Sequence, residues 1–287
     1  MNASVTFWGV RGTIPTPGPH TARYGGNTAC IEVRDPSGHL VILDAGTGIR
    51  SLGRLLQGSA GSNGVRADII VSHAHWDHIQ GLPFFAPLFI KGNHLTVWGP
   101  KQGDVGMDTI LKTLMQPVTF PVPLEALAAK LDMKHVGAEP ISAPGCTITA
   151  MRVRHPSVTM GYRLTFPGGQ SLVYVSDDEL GPGGEYPVGP TWRDDFVRFI
   201  GDADLLVHDS MYTPEEYPGH RGWGHSTFVE TVELALDAGA KRVALFHHEP
   251  EHSDSSLDEI TNQARDQADR RGRLEVVLAA EGMKLTL

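Results

Sequence analysis

The stretch that decides the fold of this chain is DIIVSHAHWDHIQGL, which runs from Asp68 to Leu82. It starts as an apolar strand and ends in four side chains that can bind metals, namely His73, His75, Asp77 and His78. Imidazole and carboxylate are ligands that borderline divalent metals such as zinc accept. The alternating spacing favours a loop whose side chains surround a centre, because ligands on one helix face fall three or four residues apart. The run therefore predicts a metal-dependent hydrolase.

The composition predicts a globular protein with many tight turns. Of the 287 residues, 40% are apolar and 20% are charged, and there are 33 glycines and 20 prolines. The two cysteines, Cys30 and Cys146, lie far apart in apolar contexts, which favours a reduced, cytoplasmic setting over a disulfide framework. The amino terminus lacks a signal-peptide pattern, and no apolar stretch approaches the about 20 residues of a membrane span. We expect a soluble cytoplasmic protein.

The charge favours a small substrate. The formal net charge is −9, and the only tight basic cluster is Arg270, Arg271 and Arg273. A protein that grips extended nucleic acid usually displays a basic patch, so such a partner is not expected. Bound metals would still make the site locally positive, which suits a small anionic substrate.

The pattern of apolar runs and turns predicts one domain over residues 1–287, with strands first and then strands mixed with helices. The predicted strands are Ser4–Trp8, Ala29–Val33, Leu40–Asp44, Asp68–Ser72, Leu95–Trp98, Thr147–Arg154, Gly161–Phe166, Ser171–Ser176, Leu205–His208, Arg242–Phe246 and Leu274–Ala279, with Lys284–Leu287 extending or flanking the last. The predicted helices are Ile49–Gln57, Met107–Met115, one capped by Ser226 or Thr227 and reaching about Ala238, and one with a capping box at Ser256–Glu259 that ends near Arg271. A glycine/serine loop is predicted at 58–64.

Several predicted strands end in histidine or aspartate. They lead into His73, His155, Asp177, Asp209 and His247. Side chains at strand ends meet at one edge of a sheet, where rigid elements hold them in place. This recurrence is a second signal for a metal site.

These motifs resemble those of the metallo-β-lactamase superfamily. His73-Ala-His-Trp-Asp-His78 matches its H-x-H-x-D-H motif, and His155, Asp177 in Tyr-Val-Ser-Asp and His247 in Leu-Phe-His follow in the family's order. The resemblance implies an α/β (α+β) fold, a four-layer αββα sandwich of two mixed sheets with helices on the outer faces. It covers essentially the whole chain.

Other motifs are similar to the tRNase Z and cyclic-phosphodiesterase branch. They are FWGVRGT at 7–13, YGGNT at 24–28, DAGTG at 44–48, WGP at 98–100, HDS at 208–210 and GHST at 224–227. The tRNA 3′-processing enzymes usually have glutamate where this chain has Asp209. The long glycine/proline-rich arm with which such enzymes grip tRNA is not evident in the sequence.

The resemblance implies a site for two divalent metal ions. His73, His75 and His155 would bind the first ion, Asp77, His78 and His247 the second, and Asp177 would bridge them. Zinc is the first expectation, while manganese and iron also accept this donor set. Two such ions can hold a metal-bridged hydroxide as the nucleophile.

The predicted catalytic residues are Asp77, Asp209 and His225. His225, oriented by Asp209, would bind the phosphoryl oxygens or protonate the leaving oxygen. Because His225 precedes a helix, we also expect a phosphate there to meet free backbone N–H groups.

The predicted function is that of a dinuclear phosphodiesterase for a small phosphodiester such as a cyclic nucleotide or a cyclic phosphate. The alternatives are a tRNase Z-like endoribonuclease, a thioester or lactone hydrolase of the same fold, and a metal-binding sensor.

Some residue roles also stay open. Asp177 could belong with Asp178 and Glu179 to a solvated acidic turn, Asp44 could cap a turn or support the ligands, and His248 could support them or bond to backbone. Arg163 is expected in a buried ion pair. The segments 84–90 and 116–123 would line either a homodimer surface or the pocket mouth.

Overall fold

Half of the strands form one mixed sheet. The computed structural model describes residues 2–59 and 64–287, so residues 60–63 of the predicted glycine/serine loop lie outside the described part. The first sheet has seven strands in the order β14-β1-β2-β3-β4-β5-β6. Their bounds are β1 Ser4–Gly9, β2 Cys30–Arg34, β3 Leu40–Leu43, β4 Arg66–Ile70, β5 His94–Gly99, β6 Lys130–His135 and β14 Lys284–Thr286.

The other strands form a second mixed sheet of seven strands, in the order β13-β12-β11-β10-β9-β8-β7. Their bounds are β7 Ile141–Ala143, β8 Cys146–Arg152, β9 Met160–Thr165, β10 Ser171–Val175, β11 Leu205–Asp209, β12 Arg242–Phe246 and β13 Glu275–Leu278. The two sheets pack face to face, since one buried apolar cluster draws Phe7 from the first sheet together with Tyr174 and Phe246 from the second. The rings of Phe7 and Phe246 lie 6.1 Å apart.

Helices cover the outer faces. Their bounds are α1 Ile49–Ser59, α2 Trp76–Ile79, α3 Met107–Leu114, α4 Trp192–Ile200, α5 Phe228–Asp237 and α6 Asp254–Arg271. Leu52 of α1 and Leu111 of α3 pack on the first sheet. Phe196, Val232 and Ile260, from the other long helices, pack on the second sheet. The predicted four-layer αββα sandwich is confirmed.

The sheet topology brings the predicted ligands together. Strands β10, β11 and β12 are parallel neighbours, so their carboxyl ends lie at one edge. Asp177 follows β10, Asp209 ends β11 and His247 follows β12. Strand β4, which belongs to the first sheet, leads into the histidine run His73–His78.

The structure differs from the predictions in several elements. Asp77 and His78 lie on the short helix α2 instead of a loop. Helix α4 went unpredicted, and its N-cap residue Thr191 makes no side-chain cap bond that would signal its start. β6 and β7 were also missed. β14 pairs with β1, in the sheet opposite β13, so it does not extend that strand. Helix α6 starts earlier than predicted, because Ser253 caps it by accepting from Ser256 N–H.

Candidate metal centre

All seven predicted ligands converge at one end of the sandwich. His73, His75, His155 and Asp177 place one donor atom each within 4.8 Å of one another, and Asp77, His78 and His247 form a second such group. All are buried except His75, which is exposed. The site is therefore reached from the side of His75.

Asp177 lies between the two groups and turns one oxygen to each. Its Oδ2 is 3.6 Å from His73 Nε2 and 3.8 Å from His155 Nε2. Its Oδ1 is 3.1 Å from His78 Nε2 and 3.4 Å from His247 Nε2. A carboxylate placed in this way can bridge two cations.

Asp77 belongs to the second group only. Its Oδ2 lies 3.1 Å from His78 Nε2 and 3.2 Å from His247 Nε2. The same oxygen accepts a 2.8 Å hydrogen bond from the backbone N–H of Thr13, which fixes the carboxylate. Sequence reasoning missed this bond, because Thr13 contributes only its backbone.

Hydrogen bonds to Nδ1 orient three of the imidazoles. His78 Nδ1 donates to Asp44 at 2.8 Å, and His155 Nδ1 donates to the carbonyl of Gly224 at 2.9 Å. His73 Nδ1 lies 3.0 Å from the hydroxyl of Ser72. Each ring therefore presents Nε2 to the centre, as metal-binding histidines commonly do.

The donor atoms at the centre fit a cation. His73 Nε2, His78 Nε2 and Asp177 Oδ1 are buried and have no hydrogen-bond partner. Buried polar atoms without partners are costly, and most find one in folded proteins. Imidazole nitrogens and carboxylate oxygens facing one another in this way suit divalent metals such as zinc, manganese or iron.

The electrostatics of the ligands agree with that fit. Burial lowers the pKa of His155 to about 3 and that of His73 well below its usual range, so both are neutral. Burial alone would raise the pKa of Asp177, but the imidazoles of His247 and His78 hold it well below the usual range. Burial would lower the pKa of His78, yet the nearby carboxylates, Asp177 first, raise it well above normal. The centre thus favours positive charge, which a cation would supply in place of that proton.

Asp44 supports the ligands from below. Its carboxylate accepts from Ser72 N–H at 2.6 Å, Ser72 Oγ–H at 2.8 Å and Tyr174 O–H at 2.6 Å, in addition to His78. Tyr174 belongs to β10, so this single buried carboxylate joins the two sheets. Of the two roles left open for Asp44, the structure favours the one beneath the ligands.

The backbone is strained at this site. Within the described residues, four non-glycine residues have positive φ, and three of them are Thr13, Asp44 and His247 at 63°, 58° and 61°. Such conformations cost about 1–3 kcal/mol each and cluster at functional sites. Glycine is required nearby, because a Cβ on Gly12 would lie 2.5 Å from the His247 ring.

His225 and Asp209 form a pair beside the ligands. His225 Nδ1 donates to Asp209 Oδ2 at 2.8 Å, and the fully buried Asp209 also accepts from Met211 N–H at 3.0 Å. Burial would lower the pKa of His225, but the charge of Asp209 outweighs it and raises that pKa to about 9. The His225 ring stacks on that of His247 with centroids 5.0 Å apart. This pair therefore places a possible proton donor beside the metal ligands.

His225 also has a geometric claim to be a ligand, because its donor atom lies within 4.8 Å of donors from Asp177 and His247. Asp209 engages its Nδ1, just as Asp44 engages the Nδ1 of His78, so the geometry is compatible with both a ligand and an acid. The metal content of a His225→Ala variant distinguishes the two roles.

The expectation of free N–H groups at the start of α5 is wrong for three of them. Thr227 N–H donates to Glu230, Phe228 N–H to the carbonyl of Tyr212, and Glu230 N–H to Thr227 Oγ1. Thr227 and Glu230 form a capping box that uses these donors internally. These three N–H groups are therefore not free to bind an anion.

The solvated acidic turn is ruled out, because Asp177, Asp178 and Glu179 are all buried. Glu179 accepts hydrogen bonds from Tyr186 O–H, from Tyr217 O–H at 2.7 Å, and from the N–H groups of Gly222 and Gly224 at 2.9 and 3.3 Å. It thereby fixes the segment whose Gly224 carbonyl orients His155. Sequence reasoning missed this role, and the glycines before His225 were the available signal.

The remaining open residues are placed as follows. His248 Nε2 bonds to the carbonyl of Ala279 at 2.9 Å, which is its backbone alternative. The predicted ion pair of Arg163 is wrong, since its guanidinium donates to the carbonyls of Phe199 and Ile200 at the end of α4. Phe84 and Phe120 line a cavity beside the site, as the pocket-mouth alternative predicts.

Both cysteines are free and buried. In the part of the chain that the structure describes, no helix is long and apolar enough to cross a membrane.

Two facing mixed sheets with a histidine/aspartate cluster at one end define a metal-binding hydrolase of the αββα class. This chain belongs to the β-lactamase superfamily, because residues 39–248 match the family described as "Beta-lactamase superfamily domain". The resemblance inferred from the motifs is thereby confirmed, and so is the assignment as a hydrolase.

Individual relatives agree with this assignment. A ribonuclease Z from Haloarcula marismortui is 26% identical over 325 residues, which cover 99% of this chain and 96% of that protein. The metallo-β-lactamase fold protein YhfI from Bacillus subtilis matches with a TM-score of 0.70 at 20% identity over 99% of both chains. A diphosphatase from the PhnP family matches with a TM-score of 0.69 at 20% identity, over 99% of this chain and 98% of that one. At such identities the two structures show a shared fold.

Proposed function

We propose that this protein is a dinuclear metal-dependent phosphodiesterase that hydrolyses a small phosphodiester such as a cyclic nucleotide or a cyclic phosphate. The observation that carries the proposal is the Asp209–His225 pair, in which a 2.8 Å hydrogen bond holds the His225 ring against His155 of one ligand group and His247 of the other. A phosphodiester is an anion that gains charge in its transition state, and its leaving oxygen requires a proton. Metal ions held by the ligand groups, with a proton donor at His225, would meet both needs.

The chemistry divides among named residues. One ion would be held by His73, His75 and His155 and a second by Asp77, His78 and His247, with Asp177 available to both. When bound, such ions would lower the pKa of a water towards about 7 and neutralise phosphate charge. Hydrolysis forms a bond from phosphorus to the water oxygen, whose proton is released to solvent, and breaks the bond to the leaving oxygen. His225 donates a proton to the leaving oxygen and regains one from solvent, while Asp209 keeps the ring oriented.

The test compares esters of different acids. With zinc or manganese supplied, we expect turnover of bis-p-nitrophenyl phosphate to exceed that of p-nitrophenyl acetate and of a simple lactone. Efficient carbonyl hydrolysis without phosphodiester turnover would overturn the proposal and favour the thioester or lactone alternative.

A ribonuclease activity is the second candidate, and the relatives named ribonuclease Z favour it. The net charge of −9 argues against a long polyanionic substrate. A panel of cyclic nucleotides and a precursor tRNA distinguishes the two candidates. Cleavage of the tRNA at its 3′ end without turnover of the small esters would make the protein a nuclease.

A further inference from the structure

An apolar cavity adjoins the metal centre. Its volume is about 590 Å³, within the range of about 300–1,000 Å³ typical of small-molecule sites. Ala74 and Trp76 form part of its wall, and they alternate along the chain with His73, His75 and Asp77. A molecule in this cavity would therefore touch the same segment that supplies the metal ligands.

The walls of the cavity are aromatic and uncharged. The rings of Phe84 and Phe120 meet edge to face with centroids 5.5 Å apart. Trp76 and Phe84 are 76% and 57% exposed, an unusual state for such large apolar side chains. None of the described residues that line the cavity is charged. The group that fits here is uncharged and flat, in contrast to the anion expected at the metal centre.

Hydrogen bonds also connect the cavity wall to the loop that carries the ligand His155. Val105 lines it at the end of a turn that Gln102 begins, and the two residues exchange backbone hydrogen bonds. The Gln102 amide donates to the carbonyl of Val158 at 2.8 Å and accepts from its N–H at 3.0 Å. Val158 lies three residues after His155. The wall and this ligand-bearing loop therefore form a connected, preformed surface.

We propose that this cavity is the subsite for an aromatic ester group of the substrate, such as a nucleobase or an aryl ring, while the phosphate occupies the metal centre. The inference rests on the proposed phosphodiesterase function and narrows its substrate. A cyclic phosphate without an aromatic group would leave the cavity unfilled, whereas a nucleotide carries both parts. The amides of Gln80 and Gln116 at the wall supply donors and acceptors for the edge of a base.

Direct binding tests the subsite without turnover. Calorimetry on zinc-loaded protein compares inorganic phosphate, methyl phosphate and phenyl phosphate, which share the anion and differ in the attached group. We expect phenyl phosphate to bind about tenfold more tightly than methyl phosphate, because stacking on aromatic side chains is favourable. A nucleoside 5′-monophosphate should show at least the same preference.

Two matched variants locate the effect. Phe84→Ala should remove most of the ratio between phenyl and methyl phosphate, and Phe120→Ala provides a second variant in the same wall. Phe89→Ala is the control, because Phe89 is also a half-exposed phenylalanine of the 84–90 segment but does not line the cavity. It should keep the wild-type ratio.

The outcomes separate the two proposals. Equal affinity for phenyl and methyl phosphate, with phosphodiester turnover intact, would overturn the subsite and leave the proposed function standing. Failure to bind any of the three anions, together with absent phosphodiester turnover, would overturn both. If Phe84→Ala instead converts a dimer to a monomer in sedimentation and leaves the ratio unchanged, a second copy of the chain covers this surface and the subsite is wrong.

Discussion

The two halves of the molecule supply the metal centre in different ways. The first sheet contributes His73, His75, Asp77 and His78 from one short segment after β4. The second sheet contributes His155, Asp177 and His247 singly, each from a different connection at its edge. The first half therefore carries a local motif, whereas the second carries an arrangement that exists only after its strands have paired.

This difference has a physical consequence for robustness. Neighbouring ligands in a short segment are positioned by local geometry, such as the turn into α2. Ligands from separate connections depend on supports that come from elsewhere, such as the Gly224 carbonyl for His155 and the close approach of Gly12 to His247. We therefore expect substitutions at more positions in the second half than in the first to disturb the metal ligands.

The largest expected effect is that of Asp177→Ala. Because Asp177 faces both ligand groups, its loss should lower occupancy of both ions and reduce kcat/KM by about 10⁴-fold or more. Mass spectrometric metal analysis and turnover of bis-p-nitrophenyl phosphate measure the two effects. Asp178→Asn is the neighbouring control and should keep both ions. If Asp177→Ala retained both ions, metal binding would not depend on this ligand from the second half.

The next effect is that of His225→Ala. Removing a general acid should lower kcat by about 10²–10⁴-fold while the metal content stays at the wild-type level. The same metal analysis checks this, with His39→Ala as a histidine control, because His39 lies just before β3 of the first sheet and pairs with Asp68. Loss of one ion in His225→Ala would instead identify His225 as a ligand and add a fourth separate contribution from the second half.

Asp44→Asn tests the support beneath the local motif. An amide can still accept some of the four hydrogen bonds but loses the charge that orients His78. We expect metal affinity to fall about 10–100-fold, as is typical when the partner of a ligand is changed. Competition with a chelator measures it. An unchanged affinity would mean that the local segment holds its geometry without help.

The pH dependence of activity tests the role of the Asp209–His225 pair in the second half. His225 acts as an acid when protonated, so activity should persist below its pKa of about 9 and fall as the pH rises through that value. Bound cations would shift this decline to lower pH. Asp209→Asn removes the main charge that raises the pKa, so its decline should start at lower pH than in the wild type. Identical profiles for the two proteins would contradict the coupling.

The smallest effect is expected for Tyr174→Phe. The variant loses one hydrogen bond to the buried Asp44 carboxylate, which should lower the free energy of unfolding by about 1.5–3 kcal/mol. Urea unfolding measures it, and metal content should be kept. A loss of metal as large as that of Asp44→Asn would show that contact between the sheets, and not the local motif, sets the His78 geometry.

The sandwich and its ligand positions could be predicted because the motifs at the strand ends resemble those of the metallo-β-lactamase superfamily, which implies both. The sequence could not predict bonds made by backbone atoms, such as Thr13 N–H to Asp77, because any residue has an N–H group. It left a solvated acidic turn at Asp177, Asp178 and Glu179 open, since acidic residues are rarely fully buried unless distant donors satisfy them. Helix α4 was missed because charged residues interrupt its apolar pattern, since four of its nine residues are charged against two of eight in α3, which was predicted.

The wide separation of the ligands sets the order of events during synthesis. Asp77 and His247 are 170 positions apart, although their side chains lie 3.2 Å from each other. At about 5–20 residues per second, the ribosome needs roughly 8–34 seconds to pass from one to the other. The second group of ligands is incomplete until then, so a nascent chain exposes its histidine run without a full site. Binding of an ion by the second group would therefore require that both halves have docked, and its binding energy would stabilise only the finished fold.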